Sequence, residues 1–142
     1  MSFWILDTDH VSLFLAGNKS IIAQVEKHYN NVAITVVTVQ ELFNGWVGRL
    51  HDPAQANNLA NLYKKLWKTT EFIKVITVLN FDFHAENCYQ TLRQNSKALA
   101  KKKIEKDLII TSIALTQNAI VATRNYQDFS QIPNLKIENW SE

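Results

Sequence analysis

Short apolar runs that alternate with helical stretches limit the folds open to this chain. Residues 3–6 form an unbroken apolar run, the pattern of a strand buried on both faces. Residues 32–37 (Val-Ala-Ile-Thr-Val-Val) are rich in β-branched side chains and read as a second strand. Residues 73–78 read as a third strand, 119–123 as a fourth and 135–138 as a fifth. Helices are expected between them. One covers 11–16 and is stopped by Gly17 and Asn18; another is capped by Ser20 and runs to about Tyr29. Thr38 and Glu41 have the spacing of a capping box that opens a helix to about Arg49. Asp52-Pro53 starts a helix to about Thr70. Asp82 caps a helix through about Ser96, and a lysine-rich connection leads to a helix over about 104–118. This alternation predicts an α/β fold: a parallel sheet of four to five strands covered by helices on both faces.

The length, 142 residues, suits a single domain over 1–142. An apolar content of 46% with 11% aromatic residues supplies a core, and 3 Gly with 2 Pro leave little from which to build linkers. The lone cysteine, Cys88, excludes a disulfide within the chain and a cysteine-rich zinc site. It fits a reducing cytoplasm. The first residues lack a basic start and a long apolar run, so no signal peptide is expected. No stretch is long and apolar enough to cross a membrane. The net charge of +2, from 15 basic and 13 acidic residues, does not by itself mark a nucleic-acid binder. Any basic footprint must come from local clustering.

In parallel sheets, ligands bind beyond the carboxyl ends of the strands. Asp7 follows strand one, Glu41 strand two and Asp128 strand four. Asp107 stands near the start of the helix that feeds strand four. Each has an ordinary reading. Asp7 can be a helix cap or turn residue, Asp9 a local cap, Glu41 the partner of Thr38 in the capping box. Asn125 and Asp128 are common loop residues. Asp107 is the most informative. It shares a helical face with Ile104, Leu108, Thr111 and Leu115, and that face looks inward. A lone carboxylate entering a core is costly unless paired or bound to a cation; its ordinary alternative is a helix-dipole partner. Gathered carboxylates repel one another unless cations neutralise them. Oxygen ligands select hard ions, Mg²⁺ or Mn²⁺, and ions so held can activate water at a phosphodiester. His10, His28, His51 and His84 lack metal-ligand spacing and read as surface or packing residues, as Cys88 reads as packing.

Four motifs then fall in a specific order: Leu6-Asp7-Thr8-Asp9-His10, Thr38-x-x-Glu41-Leu42-x-x-Gly45, Asp107-Leu108-Ile109-Ile110 and Thr123-Arg124-Asn125-x-x-Asp128-Phe129. With the ending Ile132-Pro133-Asn134-Leu135-Lys136-Ile137-Glu138-Asn139-Trp140, the set resembles the VapC-type PIN-domain toxins over essentially the whole chain. The resemblance implies a PIN-like three-layer sandwich and a Mg²⁺-dependent endoribonuclease that acts on RNA. It further implies a homodimer, a toxin of a toxin–antitoxin pair, inhibited by a small antitoxin protein. Asp7, Glu41 and Asp107 match the family's acidic, metal-holding catalytic site. The fourth position falls on Asn125 or Asp128, and Asp128 is favoured because it is charged. Thr8, Thr38, Thr123 and Asn125 stand beside these acids as supporting candidates. The chain departs from the family in lacking a glycine shortly before Asp107, where it has Lys103-Ile104-Glu105-Lys106.

Lys97, Lys101, Lys102, Lys103 and Lys106 cluster ahead of Asp107, and Arg124 adjoins the fourth acid. A lysine run is ordinarily a solvated connection. Beside an acidic metal site, Lys101, Lys102, Lys103, Lys106 and Arg124 become candidates for RNA phosphate contacts. Arg49, Lys64, Lys65 and Lys68 are assigned to the surface alone. Trp46 and Trp67 are either core or part of an apolar groove for an antitoxin segment. Two other functions fit less well. Asp7-x-Asp9 after a strand suggests a haloacid-dehalogenase-like phosphatase, but the later paired acids are missing. A catalytically inactive PIN-like binding module would keep the fold without turnover.

Overall fold

The computed structural model describes residues 2–142; Met1, on which the signal-peptide reading also rests, lies outside them. Five strands form one sheet: β1 (Trp4–Leu6), β2 (Val32–Thr35), β3 (Thr77–Leu79), β4 (Ile120–Ala122) and β5 (Lys136–Glu138). Their spatial order is β3-β2-β1-β4-β5, and every pair is parallel. The helices are α1 (Thr8–Leu15), α2 (Lys19–Lys27), α3 (Val36–Leu50), α4 (Leu59–Val75), α5 (Phe83–Asn95), α6 (Glu105–Thr116) and α7 (Tyr126–Phe129).

Side chains alternate across a strand, so the sheet divides two cores. Ile5 and Val121 pack on one side with Ala85, Tyr89, Leu108, Ile113 and Phe129, from α5, α6 and α7. Trp4, Leu6 and Ala122 pack on the other with Val11, Ile21, Val25 and Leu42, from α1, α2 and α3. The result is the three-layer sandwich. The chain leaves β1 toward β2 and β3, then crosses back to β4 and β5 on the other side of β1. Connections from β1 and β4 therefore depart in opposite directions, which opens a crevice beyond their carboxyl ends. Among the described residues, no helix is long and apolar enough to cross a membrane.

Four boundaries differ from the sequence reading, one of them the cap of α2, which is Asn18 rather than Ser20: Asn18 Oδ1 accepts the Ile21 N–H at 2.9 Å, and α2 begins at Lys19. The other three lie elsewhere. First, α1 begins at Thr8 rather than residue 11, with Asp7 as its cap: Asp7 Oδ1 accepts the His10 N–H at 2.8 Å. Second, the capping box of Thr38 and Glu41 does not form. β2 ends at Thr35 and α3 begins at Val36, where Thr35 Oγ1 accepts the Thr38 N–H at 3.3 Å. The β-branched pair Val36 and Val37 extended the strand pattern, but helical packing puts Val37 in the core and Val36 at the surface. Third, α4 runs on to Val75 and shortens β3, while a 3₁₀ turn over Pro53–Asn58 precedes it. Phe72 and Ile76, four residues apart, both pack on the α1 side of the core, a helical spacing inside the apolar run.

The capping assignment moves with the boundary. Thr35 is fully buried, and valine keeps its shape without the acceptor. Thr35→Val is expected to cost about 0.5–2 kcal/mol in denaturant melts. A variant as stable as the parent would remove Thr35 from the cap.

Candidate active site

Asp7 leaves the end of β1, and its N–H donates to the Ala122 carbonyl at 3.1 Å, fixing it against the end of β4. Its side chain is almost wholly buried. Besides the His10 N–H, the carboxylate is hydrogen bonded to the Thr123 hydroxyl. Thr123 follows β4 at once, and its Oγ1 in turn accepts the Asn125 N–H at 2.9 Å. Asn125 then joins two more acids: its Nδ2 donates to Asp107 Oδ2 at 3.2 Å and to Asp128 Oδ2 at 2.9 Å. The choice between Asn125 and Asp128 thus has an unexpected form, since both are in the cluster and the amide bridges the acids.

Glu41 comes from the second turn of α3. Its Oε1 accepts the Thr8 hydroxyl at 2.7 Å. Thr8 Oγ1 also lies 3.0 Å from Thr38 Oγ1. A hydroxyl has one proton, and that of Thr8 is spent on Glu41, so Thr38 is the donor to Thr8. Buried Thr38 therefore orients Glu41 through Thr8, a link across 33 residues that replaces the local capping role.

The electrostatics report the convergence. Asp107, half-buried in the first turn of α6, has its pKa raised to about 6. Burial is the main cause; the negative charges of Asp7, Asp128 and Glu41 add to it, and the Asn125 hydrogen bond opposes it. Asp7 is also raised to about 6, again chiefly by burial, with Asp9 and Glu41 adding and the Thr123 and His10 hydrogen bonds opposing. An N-terminal helix position does favour Asp107, but the dipole does not gather three other carboxylates around it.

The donor set fits a hard divalent cation: four carboxylates, all oxygen, with one amide and three threonine hydroxyls as neutral support. Arg124 does not neutralise it. Its guanidinium forms two hydrogen bonds to Asp9, at 2.7 and 2.9 Å, on a half-exposed surface. Asp9 is thus an ion-pair partner rather than a local cap. Among the described residues, the group of three or more acids and histidines whose ligand atoms all lie within 4.8 Å of one another is a different one, Asp7, Asp9 and His10. That trio is a poorer cation site, because Asp9 is held by Arg124 and His10 Nε2 accepts the Trp140 N–H at 3.0 Å. His10 is fully buried, and burial pushes its pKa down to about 4, so its 3.6 Å approach to Asp7 is not an ion pair. His28 packs against both Trp4 and Trp140, at ring separations of 4.1 and 5.8 Å.

Of the basic candidates, Lys101, Lys102 and Lys103 are exposed, and Lys106 Nζ donates to Gln40 Oε1 at 3.1 Å, bridging to α3. A cleft of about 530 Å³ opens beside Glu41, lined by Thr8, Leu42, Trp46, Arg49, Lys65 and Lys68 among others. Trp46 donates its indole N–H to Thr69 Oγ1 at 2.9 Å and lies under the Arg49 guanidinium at 4.7 Å. Trp67 is exposed and does not line it. Arg49, Lys65 and Lys68 reach this cleft only because α3 packs on α4, which their helical spacing alone does not reveal.

No family model matches the chain. Over 113 residues, 80% of this chain and 77% of the relative, it is 26% identical to Ribonuclease VapC2 of Rickettsia felis. Its fold matches a chain of VapBC2 from Rickettsia felis, solved bound to a DNA fragment from their promoter, with a TM-score of 0.76 and 24% identity; the match covers 97% of this chain and 98% of that one. DNA-bound VapBC from Salmonella typhimurium gives a TM-score of 0.77 at 24% identity, covering 99% of both chains. FitAcB from Neisseria gonorrhoeae gives 0.74 at 22%, covering 96% of this chain and 97% of that one. The chain has the fold of the VapC-type PIN domains and is a sequence relative of a VapC ribonuclease.

Proposed function

We propose that this chain is a divalent-metal-dependent endoribonuclease and the toxin of a toxin–antitoxin pair. The observation that supports the reading is that Asn125 joins Asp107 and Asp128 beyond the carboxyl end of the sheet, where the charges of Asp7 and Glu41 also reach Asp107. These four are the residues that would hold Mg²⁺ or Mn²⁺. A bound divalent cation supplies Lewis acidity toward a phosphodiester. The chain's own part is to present the acids in a fixed geometry. Thr38 and Thr8 aim Glu41, Thr123 steadies Asp7, and Asn125 holds Asp107 and Asp128 together. The exposed Lys101, Lys102 and Lys103, with Lys106 nearby, are the candidates to draw RNA phosphates, joined by Arg124 where a phosphate displaces Asp9 from its guanidinium. The aromatic wall of Trp46 offers a seat to a small antitoxin.

The ribonuclease VapC2 relative supports this reading over its rivals. A phosphatase that used Asp7 and Asp9 as its working pair would need both in the crevice, whereas Asp9 turns to Arg124 at the surface. A module without turnover would have no call for four carboxylates at mutual electrostatic cost. The purified protein is expected to cut RNA internally with Mg²⁺ or Mn²⁺ and to stop when EDTA is in excess. Cutting that survives EDTA would remove the metal from the mechanism. Folded protein that binds RNA yet never cuts it would favour the inactive module.

A further inference from the structure

Behind Asp7 stands a histidine that the acidic cluster does not use. His10 lies in the first turn of α1 and is fully buried. Its Nε2 accepts the Trp140 backbone N–H at 3.0 Å. A ring nitrogen that accepts carries no proton, so the proton of the neutral imidazole is on Nδ1. Nδ1 has no hydrogen-bond partner among the described residues and faces Asp7 Oδ1 at 3.6 Å. The same oxygen accepts the His10 backbone N–H at 2.8 Å. One residue thus donates its backbone N–H to this carboxylate oxygen and stands its unpartnered ring nitrogen beside it, just beyond hydrogen-bond distance.

The Trp140 N–H is held in place by contacts remote from the acids. The indole nitrogens of Trp140 and Trp4 both donate to Glu138 Oε1, at 3.1 and 3.0 Å. The Trp4, His28 and Trp140 rings pack together. Ser20 Oγ donates to the Glu142 carbonyl at 2.9 Å. The carboxy-terminal segment therefore selects the histidine's tautomer from outside the site.

We propose that His10 is a positioning residue for Asp7: Trp140, through its backbone N–H, locks the tautomer whose Nδ1–H orients the Asp7 carboxylate for a divalent cation. The inference rests on the metal-site reading above. Donors behind a ligating carboxylate tune its aim, and a histidine that only packs would have no such effect.

Two variants separate the halves of this relay. In His10→Gln the longer amide reaches the Nε2 position and keeps an acceptor for the Trp140 N–H, but offers Asp7 no donor. In His10→Asn the shorter amide places an NH₂ where Nδ1 stood and leaves the Trp140 N–H without its acceptor. Calorimetric Mn²⁺ titration and metal-free melting are read on each. His10→Gln is expected to lose about tenfold or more in Mn²⁺ affinity with little change in melting, and His10→Asn to melt lower while keeping Mn²⁺ affinity within about twofold. Wild-type affinity in His10→Gln, or equal losses of affinity in both, overturns the proposal. Wild-type protein that binds no Mn²⁺ overturns the metal site and this inference with it. ¹⁵N shifts of the His10 ring in the wild-type protein decide the tautomer without any variant: an Nδ1–H ring supports the relay, and an Nε2–H ring overturns it.

Discussion

Asp107→Asn is expected to cut RNA cleavage on the order of a hundredfold or more, beyond what loss of an outer hydrogen bond costs a metal site. Metal-free stability at neutral pH should be unchanged or raised, because the substitution removes one of four charges that repel. The pH dependence gives the sign. Asp107 and Asp7 have pKa values of about 6 in the folded protein against an ordinary 3.8. The folded state binds these protons more tightly, so the stability they contribute is full below about 4 and is lost as pH rises through about 6. His10 runs the other way: lowered from 6.5 to about 4, its contribution is full above 6.5 and is lost as pH falls toward 4. The amide variant has no Asp107 proton to lose. Its advantage over the parent should therefore be largest above about pH 6 and fade toward pH 4. Added Mg²⁺ stabilises a folded state in proportion to its affinity, so the thermal shift it gives should shrink in the variant. A mere helix-dipole role predicts a cost of roughly 0.3–1 kcal/mol with turnover intact. A destabilised but active variant would decide for that role.

The parallel sheet was legible because strands buried on both faces leave unbroken apolar runs, as at Trp4–Leu6 and Ile120–Ala122. The acids were legible as candidates because Asp7 follows a strand and Asp107 opens an apolar helix. Boundaries failed where two periodicities overlapped. Val36 and Val37 continue a β-branched run, and Ile73 sits in an apolar stretch that belongs to α4 until Val75. Long-range pairings left no local trace. Arg124 lies 115 residues from Asp9, and Trp140 lies 130 from His10. The ordinary reading of Asp9 as a cap followed from spacing alone. The bridge from Asn125 to Asp107 and Asp128 was illegible for a related reason: the sequence posed Asn125 and Asp128 as rivals, whereas one turn of α7 sets them side by side.

Phe129→Ala is expected to be the costliest single truncation near the site. Phe129 is fully buried and closes α7, a helix of four residues that is too short to hold itself by backbone bonds alone. The ring packs in the core on the α5 and α6 side with residues such as Ile113, Val121 and Ile132. Its N–H donates to the Asn125 carbonyl at 3.2 Å, so the anchor and the bridging amide belong to one turn. Emptying such a position costs about 3–5 kcal/mol, a large share of the roughly 5–15 kcal/mol that holds a domain folded. Melting should fall by on the order of 10 °C. Phe129→Leu keeps most of the volume and should lose much less. Because Asp128 precedes the ring directly, the loss should also reach the acids. At a temperature where both variants remain folded, Mg²⁺ should stabilise Phe129→Ala less than Phe129→Leu. Equal Mg²⁺ stabilisation in the two, despite their different melting points, would show that the acids are held without the Phe129 anchor.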